Sequence, residues 1–429
     1  MDRPRFLIVS AFALSSAMLL TAASSAGIQN DNRHWIGTWA TAAQPAIPAT
    51  AQTFRNQTLR LIVHVSAAGS AVRIRLSNTF GDSPLIVGSA HVARRATAAN
   101  IDPASDRPLT FRGRASTTIA ARSMVVSDPV DLNVPALSDL AVSVFFPQTA
   151  AATTSHSLAL QTSYVSTETG DSTAAATFPI GKTIATWPFL TGVDVAVSQR
   201  GGTIVAFGSS TTDGDGSTRD ANKRWPDILA ERLQRGGKAE WGVLNEGIIG
   251  NRLLHDSPRT ANNPYGPMLG EAGVTRFDRD VLAQPGVKFV VMGLGVNDIL
   301  FPEFPFTPAG EQVTADQIIA GSRQLVARAR QKGIRVIGTT IAPFEGATFK
   351  ASGLDLTFYT VERERVRQQV NEWIRRGKGF DAVADLDEVL RDPARPTQLL
   401  PAYASDDNLH VNDAGNAAQA NAIPLALVR

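Results

Sequence analysis

The chain has 429 residues, 43% hydrophobic and 19% charged, so it has material for sizeable buried cores and is not a disordered chain. Its formal net charge is +2 and it has no Lys/Arg-rich run, which argues against a nucleic-acid partner. Cysteine is absent, which excludes a thiol nucleophile, disulfides, thiolate metal sites and a lipid-modified cysteine, and leaves hydroxyl, carboxylate and imidazole groups for chemistry.

In chain order, residues 1–26 read as an export signal: Arg3 and Arg5 supply the positive start, Phe6 to Leu20 an apolar run, and Ser24-Ser25-Ala26 small residues for cleavage. The run is short and rich in Ala and Ser for a membrane span, and no later segment stays apolar for the ~20 residues that spanning needs. The expectation is an exported protein, periplasmic or extracellular, with no membrane span after signal cleavage; an uncleaved anchor is the alternative.

Residues 34–199 carry short alternating runs broken by Gly, Pro, Asp and Ser, the pattern of an all-β sandwich. Leu59 to Val65 and Val72 to Leu76, joined by the turn-like Ala67-Ala68-Gly69-Ser70, predict a hairpin; Leu140 to Phe146 and Val193 to Val197 predict further strands. The Ala/Thr/Ser-rich stretch 149–177 reads as a loose surface loop.

Residues 200–429 change to alternating strands and helices. Strands are expected at Thr203 to Phe207, Val243 to Leu244, Lys288 to Leu294, Arg335 to Ile341 and Ala382 to Leu386. Helices are expected at Asn222 to Gln234, Ala315 to Gln331 and Val361 to Arg376. This alternation predicts a parallel sheet with helices on both faces, which binds ligands at the carboxyl ends of its strands.

Four segments fall at such ends. Phe207-Gly208-Ser209-Ser210-Thr211-Thr212-Asp213-Gly214 offers a serine at a strand-to-helix turn, where a hydroxyl and a backbone N–H can face one crevice; taken alone, it reads first as a turn capping the following helix. Asn245 to Asn251 contains Gly250, whose backbone N–H can approach a ligand closely or merely make a turn. Gly295-Val296-Asn297-Asp298 offers an Asn amide to a developing oxyanion, or a turn cap. In Asp407-Asn408-Leu409-His410 the aspartate can bond one ring nitrogen and leave the other free as a base. Only His255 and His410 lie in this half, so a serine mechanism there draws its base from two residues.

In this order the segments resemble the four blocks of the SGNH hydrolases, also called the GDSL esterase/lipase family, over residues 201–429. The resemblance implies a three-layer α/β/α, flavodoxin-like catalytic domain behind the β-sandwich. It implies Ser210 as nucleophile, His410 as general base and Asp407 as its orienting acid, with an oxyanion hole from the Ser210 and Gly250 backbone N–H groups and the Asn297 side chain. Ser209 replaces the family's usual aspartate and is the rival nucleophile.

The branch resembled, arylesterases and acylhydrolases associated with polysaccharide breakdown, implies a secreted serine esterase on short-acyl or aryl esters, including acetyl esters on polysaccharide. The substrate is then a small-molecule or polysaccharide ester, with no cofactor and no metal. Asp213 to Ser217 hints at a calcium loop, but its twelfth position is Arg224 where a glutamate is needed. Phe301 to Phe306 is read as an acyl-pocket wall or as a hydrophobic loop packed on the other half, and Trp35 and Trp39 as core or as a sugar platform. The alternatives are a glycan-binding surface module, a catalytically dead adhesion protein, and a lipase for longer acyl chains.

Overall fold

A computed structural model describes residue 1 and residues 32–47, 51–167, 170–198, 200–377 and 379–428; the export signal expected at 1–26 lies, apart from Met1, outside the described residues. Arg33–Arg429 is one compact unit.

Its first part is β-rich. The longer strands are β1 (His34–Ala40), β2 (Gln57–Val65), β3 (Gly69–Ser77), β4 (Ser89–Thr97), β5 (Met124–Val126), β6 (Val130–Val134), β7 (Ser138–Phe146), β8 (Ser163–Ser166), β9 (Ile180–Ile184) and β10 (Leu190–Val197). A five-stranded antiparallel sheet runs β1–β10–β3, with β5 and β6 both pairing β3. A seven-stranded sheet runs β9–β8–β2–β7–β4 and is completed by two-residue strands at Asn100–Ile101 and Arg107–Pro108. Period two directs Leu59, Leu61 and Val63 of β2 and Val72, Ile74 and Leu76 of β3 into one shared core, together with Trp39, Phe146 and Trp187. Truncating a buried residue such as Ile74 to Ala would cost about 2–5 kcal/mol.

Two expectations fail here. β2 and β3 do not form a hairpin: β2 pairs β7 and β8, β3 pairs β5, β6 and β10, and the intervening turn carries the chain from one sheet to the other. Alternation reports which face of a strand is buried; it does not tell a hairpin from an arch over a core. The turn is held instead by β1, since the Ser66 N–H donates to Thr38 O and the Ala67 N–H to Thr38 Oγ1, at 2.9 and 2.8 Å. The stretch 149–177 is not a loose loop, for it contains β8 and two short pairings, and its residues 156–162 bond to the second part of the molecule.

That second part contains β11 (Gly202–Gly208), α1 (Ser210–Asp213), α2 (Trp225–Arg235), β12 (Trp241–Gly247), β13 (Val287–Gly293), α3 (Val296–Leu300), α4 (Ala315–Gln331), β14 (Arg335–Thr339), α5 (Val361–Arg375), β15 (Ala382–Ala384), α6 (Leu386–Leu390) and α7 (Asp413–Ala422). The five strands are parallel, in the order β12–β11–β13–β14–β15. Val205, Phe207, Val290 and Met292 join one core with Ile318 and Leu325 of α4. Their neighbours Ile204, Ala206, Phe289 and Val291 join another with Leu229 and Leu233 of α2. The amphipathic α4 starts at a capping box, in which Thr314 Oγ1 accepts the Gln317 N–H and Gln317 Oε1 accepts the Thr314 N–H. α2 starts three residues later than its periodicity suggests, because Asp220 and Asn222 take left-handed backbone and Asp220 is bound to the β-rich part.

The strand order reverses direction between β11 and β13, so the loops leaving their carboxyl ends diverge and open a crevice there. Both strands end in glycine, and a Cβ on Gly208 would lie 2.1 Å from Thr212 Oγ1. At the far edge β1 abuts β12, where a Cβ on Gly242 would run into Gly37 O. The Gly37 N–H also donates to Thr203 Oγ1 of β11 at 3.0 Å, and Ser66 Oγ, in the turn after β2, accepts the Val243 N–H of β12 at 2.9 Å. Among the described residues no helix is long and apolar enough to cross a membrane.

Candidate active site

Ser210 is the first residue of α1, immediately past β11, and is buried. Its Oγ lies 2.8 Å from His410 Nε2. Ser209, the rival nucleophile, precedes the helix as its N-cap residue; the imidazole contact belongs to Ser210.

His410 is carried by a turn that its own sequence builds. Asp407 Oδ1 accepts the backbone N–H groups of Leu409 and His410, both at 2.9 Å, and Ser405 Oγ lies 2.8 Å from the same oxygen. Asn408 takes the left-handed backbone that this tight turn requires. The other carboxylate oxygen, Asp407 Oδ2, lies 2.5 Å from His410 Nδ1. A carboxylate there holds the ring proton on Nδ1, so Nε2 presents its lone pair to the Ser210 hydroxyl. Burial by itself pushes the His410 imidazolium down. It is outweighed by the hydrogen bond to Asp407 and by the charges of Asp215 and Asp407, so the net shift is upward. For Asp407 burial acts upward, and the bonds to His410 and to the two backbone N–H groups hold its carboxyl well below the usual range.

Asn297, in α3, lines the same cleft as Ser210 and donates from Nδ2 to Asn251 O at 3.0 Å. An amide nitrogen has two N–H groups, which leaves one for a ligand. Asn251 is held in turn: its Nδ2 donates to Leu269 O and Glu271 O, and its Oδ1 accepts from Arg276 Nε at 3.0 Å. Arg276, fully buried, also donates to Gly208 O at 2.9 Å, Glu246 O at 2.8 Å and Asp280 Oδ2 at 3.0 Å. One guanidinium thus ties the ends of β11 and β12 to the Asn251 turn. Asp298 adds a cross-link by accepting the Leu253 and Leu254 N–H groups at 2.6 and 2.9 Å. Burial, with the Asp280 charge, pushes the Glu246 carboxyl behind this brace well upward, despite Arg75, Arg276 and Arg279. Gly250 occupies the turn before Asn251 with φ +71°, where a Cβ would lie 2.9 Å from Leu269.

The β-rich part reaches this site. His156 Nε2 lies 2.9 Å from Asp213 Oδ1, with both side chains almost wholly buried, and His156 Nδ1 lies 2.9 Å from Ala42 O. The second oxygen of Asp213 accepts the Ile249 N–H at 2.8 Å. Asp213, the last residue of α1, therefore joins the nucleophile turn to both the β-rich part and the Gly250 turn. Arg276, Ser405 and His156 carry no motif, and Asp213 and Asp215 stand in segments read for other reasons; their partners in the fold mark them.

The cleft encloses about 800 Å³, counting its open mouth. Leu294, Val296, Ile341, Pro343 and Leu409 give it an apolar wall beside Ser210 and Asn297. Phe301, Phe304 and Phe306 are not in that wall. They are buried in an aromatic cluster with Phe349, Phe358 and Tyr265. Trp39 is core, edge-on to Trp187, and Trp35 is buried too. His255 lines a separate groove with Arg259 and Glu311.

Residues 206–418 match the model of the GDSL-like Lipase/Acylhydrolase family. No curated protein matches the chain. Among solved structures the chain is similar to a carbohydrate acetylesterase from Sinorhizobium meliloti, at 16% identity, 52% coverage of this chain, 95% of that one and TM-score 0.37. It is also similar to a GDSL-like lipase from Bacteroides thetaiotaomicron, at 17% identity, 52% and 86% coverage and TM-score 0.34. A third, the acetyl xylan esterase AlAXEase, has 18% identity, 52% and 99% coverage and TM-score 0.36.

Proposed function

The chain belongs, through residues 206–418, to the GDSL-like lipase/acylhydrolase family, and from that premise we propose that it is an exported serine hydrolase of short-acyl or aryl carboxylic esters, acetyl esters on polysaccharide included. The observation that carries this reading is the unbroken line from Asp407 through His410 to the Ser210 hydroxyl, with contacts of 2.5 and 2.8 Å.

In the proposed reaction Ser210 Oγ attacks the ester carbonyl carbon as its proton passes to His410 Nε2. The carbonyl oxygen becomes an oxyanion that takes hydrogen bonds from the Ser210 and Gly250 backbone N–H groups and from Asn297 Nδ2. The C–O bond to the alcohol then breaks, and His410 gives its proton to the leaving oxygen. Water, deprotonated by the same nitrogen, attacks the acyl-serine and releases the acid and the free hydroxyl.

The apolar wall of Leu294, Val296 and Ile341 supports an acyl or aryl group as the part of the substrate lying there. The alternation of buried strand residues between two helix-bearing cores supports a three-layer α/β/α arrangement, and the core shared by two antiparallel sheets supports a sandwich before it. Export rests on the signal-like residues 1–26.

A fluorophosphonate probe should label Ser210 of the full chain and nothing in Ser210→Ala. A panel of p-nitrophenyl esters of rising chain length, beside acetylated xylan, should show highest kcat/KM for the short acyl groups. Absence of labelling would overturn the nucleophile, and preference for long chains would overturn the substrate class.

A further inference from the structure

The loop after the nucleophile, residues 214–224, is laid against the histidine turn. Gly214 and Gly216 both take left-handed backbone, at φ +111° and +90°. A Cβ on Gly216 would lie 2.6 Å from Val411 O and 3.4 Å from His410 Cβ, so the loop passes in direct contact with the base-bearing segment. It is anchored along its length. The Asp215 N–H donates to Ser210 O at 3.0 Å, the Thr218 N–H to Asp413 Oδ1 at 2.9 Å, and Asp220 accepts from Thr162 N at 2.5 Å and Gln161 Nε2 at 2.9 Å. The result is a second carboxylate beside the base: Asp215 Oδ2 lies 3.7 Å from His410 Nε2, the nitrogen that faces Ser210.

We propose that Asp215 is a positioning residue of the reaction, holding the proton-bearing Nε2 of His410 in place after Ser210 has given up its proton, while Asp407 holds Nδ1. The inference rests on the reading of Ser210 and His410 as nucleophile and base. In the resting site Nε2 carries a lone pair, and a carboxylate 3.7 Å away gains nothing from it. Once Nε2 is protonated the same carboxylate faces an imidazolium N–H. Its attraction is therefore realised as charge develops, which is the condition for lowering a barrier. The proton moves from Ser210 Oγ to Nε2 and on to the leaving oxygen; Asp215 takes none.

The charged groups facing the ring are Asp407 from its own turn and Asp215 from the loop, and both favour its cationic form. Neighbouring acids are engaged elsewhere: Asp213 with His156 and the Ile249 N–H, Asp413 with the Thr218 N–H, Asp220 with Thr162.

The test compares full-length wild type, Asp215→Asn and Asp215→Glu on p-nitrophenyl acetate across pH and salt. Removing a negative charge beside His410 lowers its proton affinity. The acid limb of kcat/KM in Asp215→Asn should therefore move to lower pH, while plateau kcat falls about three- to tenfold, a share of the electrostatic stabilisation of a developing charge, with KM unchanged. Because the Asp215 side chain is 34% exposed, raising salt to about 1 M should move the wild-type limb in the same direction, and move that of Asp215→Asn less, since only Asp407 then remains to be screened. Asp215→Glu should recover part of both effects. A lower kcat with an unmoved acid limb would reduce Asp215 to a structural loop residue and overturn the proposal, as would an unchanged enzyme. The rate of fluorophosphonate labelling against pH separates the two levels. No labelling of Ser210 in wild type sinks the nucleophile assignment, whereas labelling with one pH dependence in wild type and Asp215→Asn sinks only the role of Asp215.

Discussion

On one side of Ser210 the imidazole of His410 is held by the short turn Ser405–His410, whose aspartate stays 35% exposed. On the other, Asn297 is held by groups drawn from separate stretches of the chain, among them Asn251 and Arg276, both fully buried. The first support is local and touches solvent, so its geometry is encoded in a few consecutive residues. The second is dry and distributed, so each member depends on all the others, and losing one leaves buried donors or acceptors without partners. The base side should thus respond to substitution by losing chemistry, and the oxyanion side by losing chemistry and stability together.

The largest effect tests the premise of that contrast. Ser210→Ala or His410→Ala should lower kcat at least about 10⁴-fold, the scale on which such units fail, with Tm nearly unchanged; a fall in Tm alone would break the comparison. Next comes Arg276→Met, which breaks the buried ion pair with Asp280, leaving that carboxylate to Arg279 alone, and takes a donor from Gly208 O, Glu246 O and Asn251 Oδ1. It should cost about 3–5 kcal/mol of stability, the penalty for breaking a buried ion pair, read from urea unfolding of the full chain. A cost below about 0.5 kcal/mol, the size of an ordinary surface change, would show that the dry side is no brace. Asn297→Ala should lower kcat about 10²–10³-fold, equivalent to about 2.7–4 kcal/mol of barrier, with a smaller loss of stability than Arg276→Met. Wild-type turnover in that variant would remove Asn297 from the oxyanion hole.

The smallest effect is one of pH. His410 is shifted upward, so its contribution to stability is complete below the ordinary histidine value of 6.5 and fades as pH rises through its native value. Asp407 is shifted downward, so its contribution is present above the ordinary 3.8 and fades as pH falls. The Tm difference between wild type and Asp407→Asn should therefore be widest between these two values and narrow on either side. Activity runs the other way, since the base must be neutral, and its acid limb should lie above the ordinary histidine range.

The same contrast explains what could be read in advance. Asp407 and His410 stand three residues apart in one turn, so their relation is visible in a single window of sequence. Ser210 and Asn297 stand just past apolar strands, where a parallel sheet opens. Arg276 offers no such cue, because a single arginine in a loop acquires meaning only from burial against Gly208, Glu246 and Asn251. His156 was hidden by its surroundings: an Ala/Thr/Ser-rich stretch reads as loose, yet it lies against Asp213. The expected hairpin at Ala67–Ser70 failed for a related reason. Alternating burial looks alike whether two strands pair or face one another across a core, and only the distant partners β7 and β10 decide. The phenylalanines at 301–306 could likewise have faced a ligand or each other, and composition does not choose between these.

The way β1 is used bears on how the molecule comes to be folded. Its ladder partner β10 lies some 160 positions further along, and its Gly37 N–H and Thr38 carbonyl take partners among Pro285, Thr203 and Ser66. A growing chain thus has no ladder partner for β1 until residue 197 exists, and the last of these partners arrives only with Pro285. Such a dependence on distant contacts slows acquisition of native structure and prolongs exposure of an unpaired edge. Refolding from denaturant should accordingly be slow and prone to association at high protein concentration, and a chain ending at Val197 should remain aggregation-prone even with all of its own strands present.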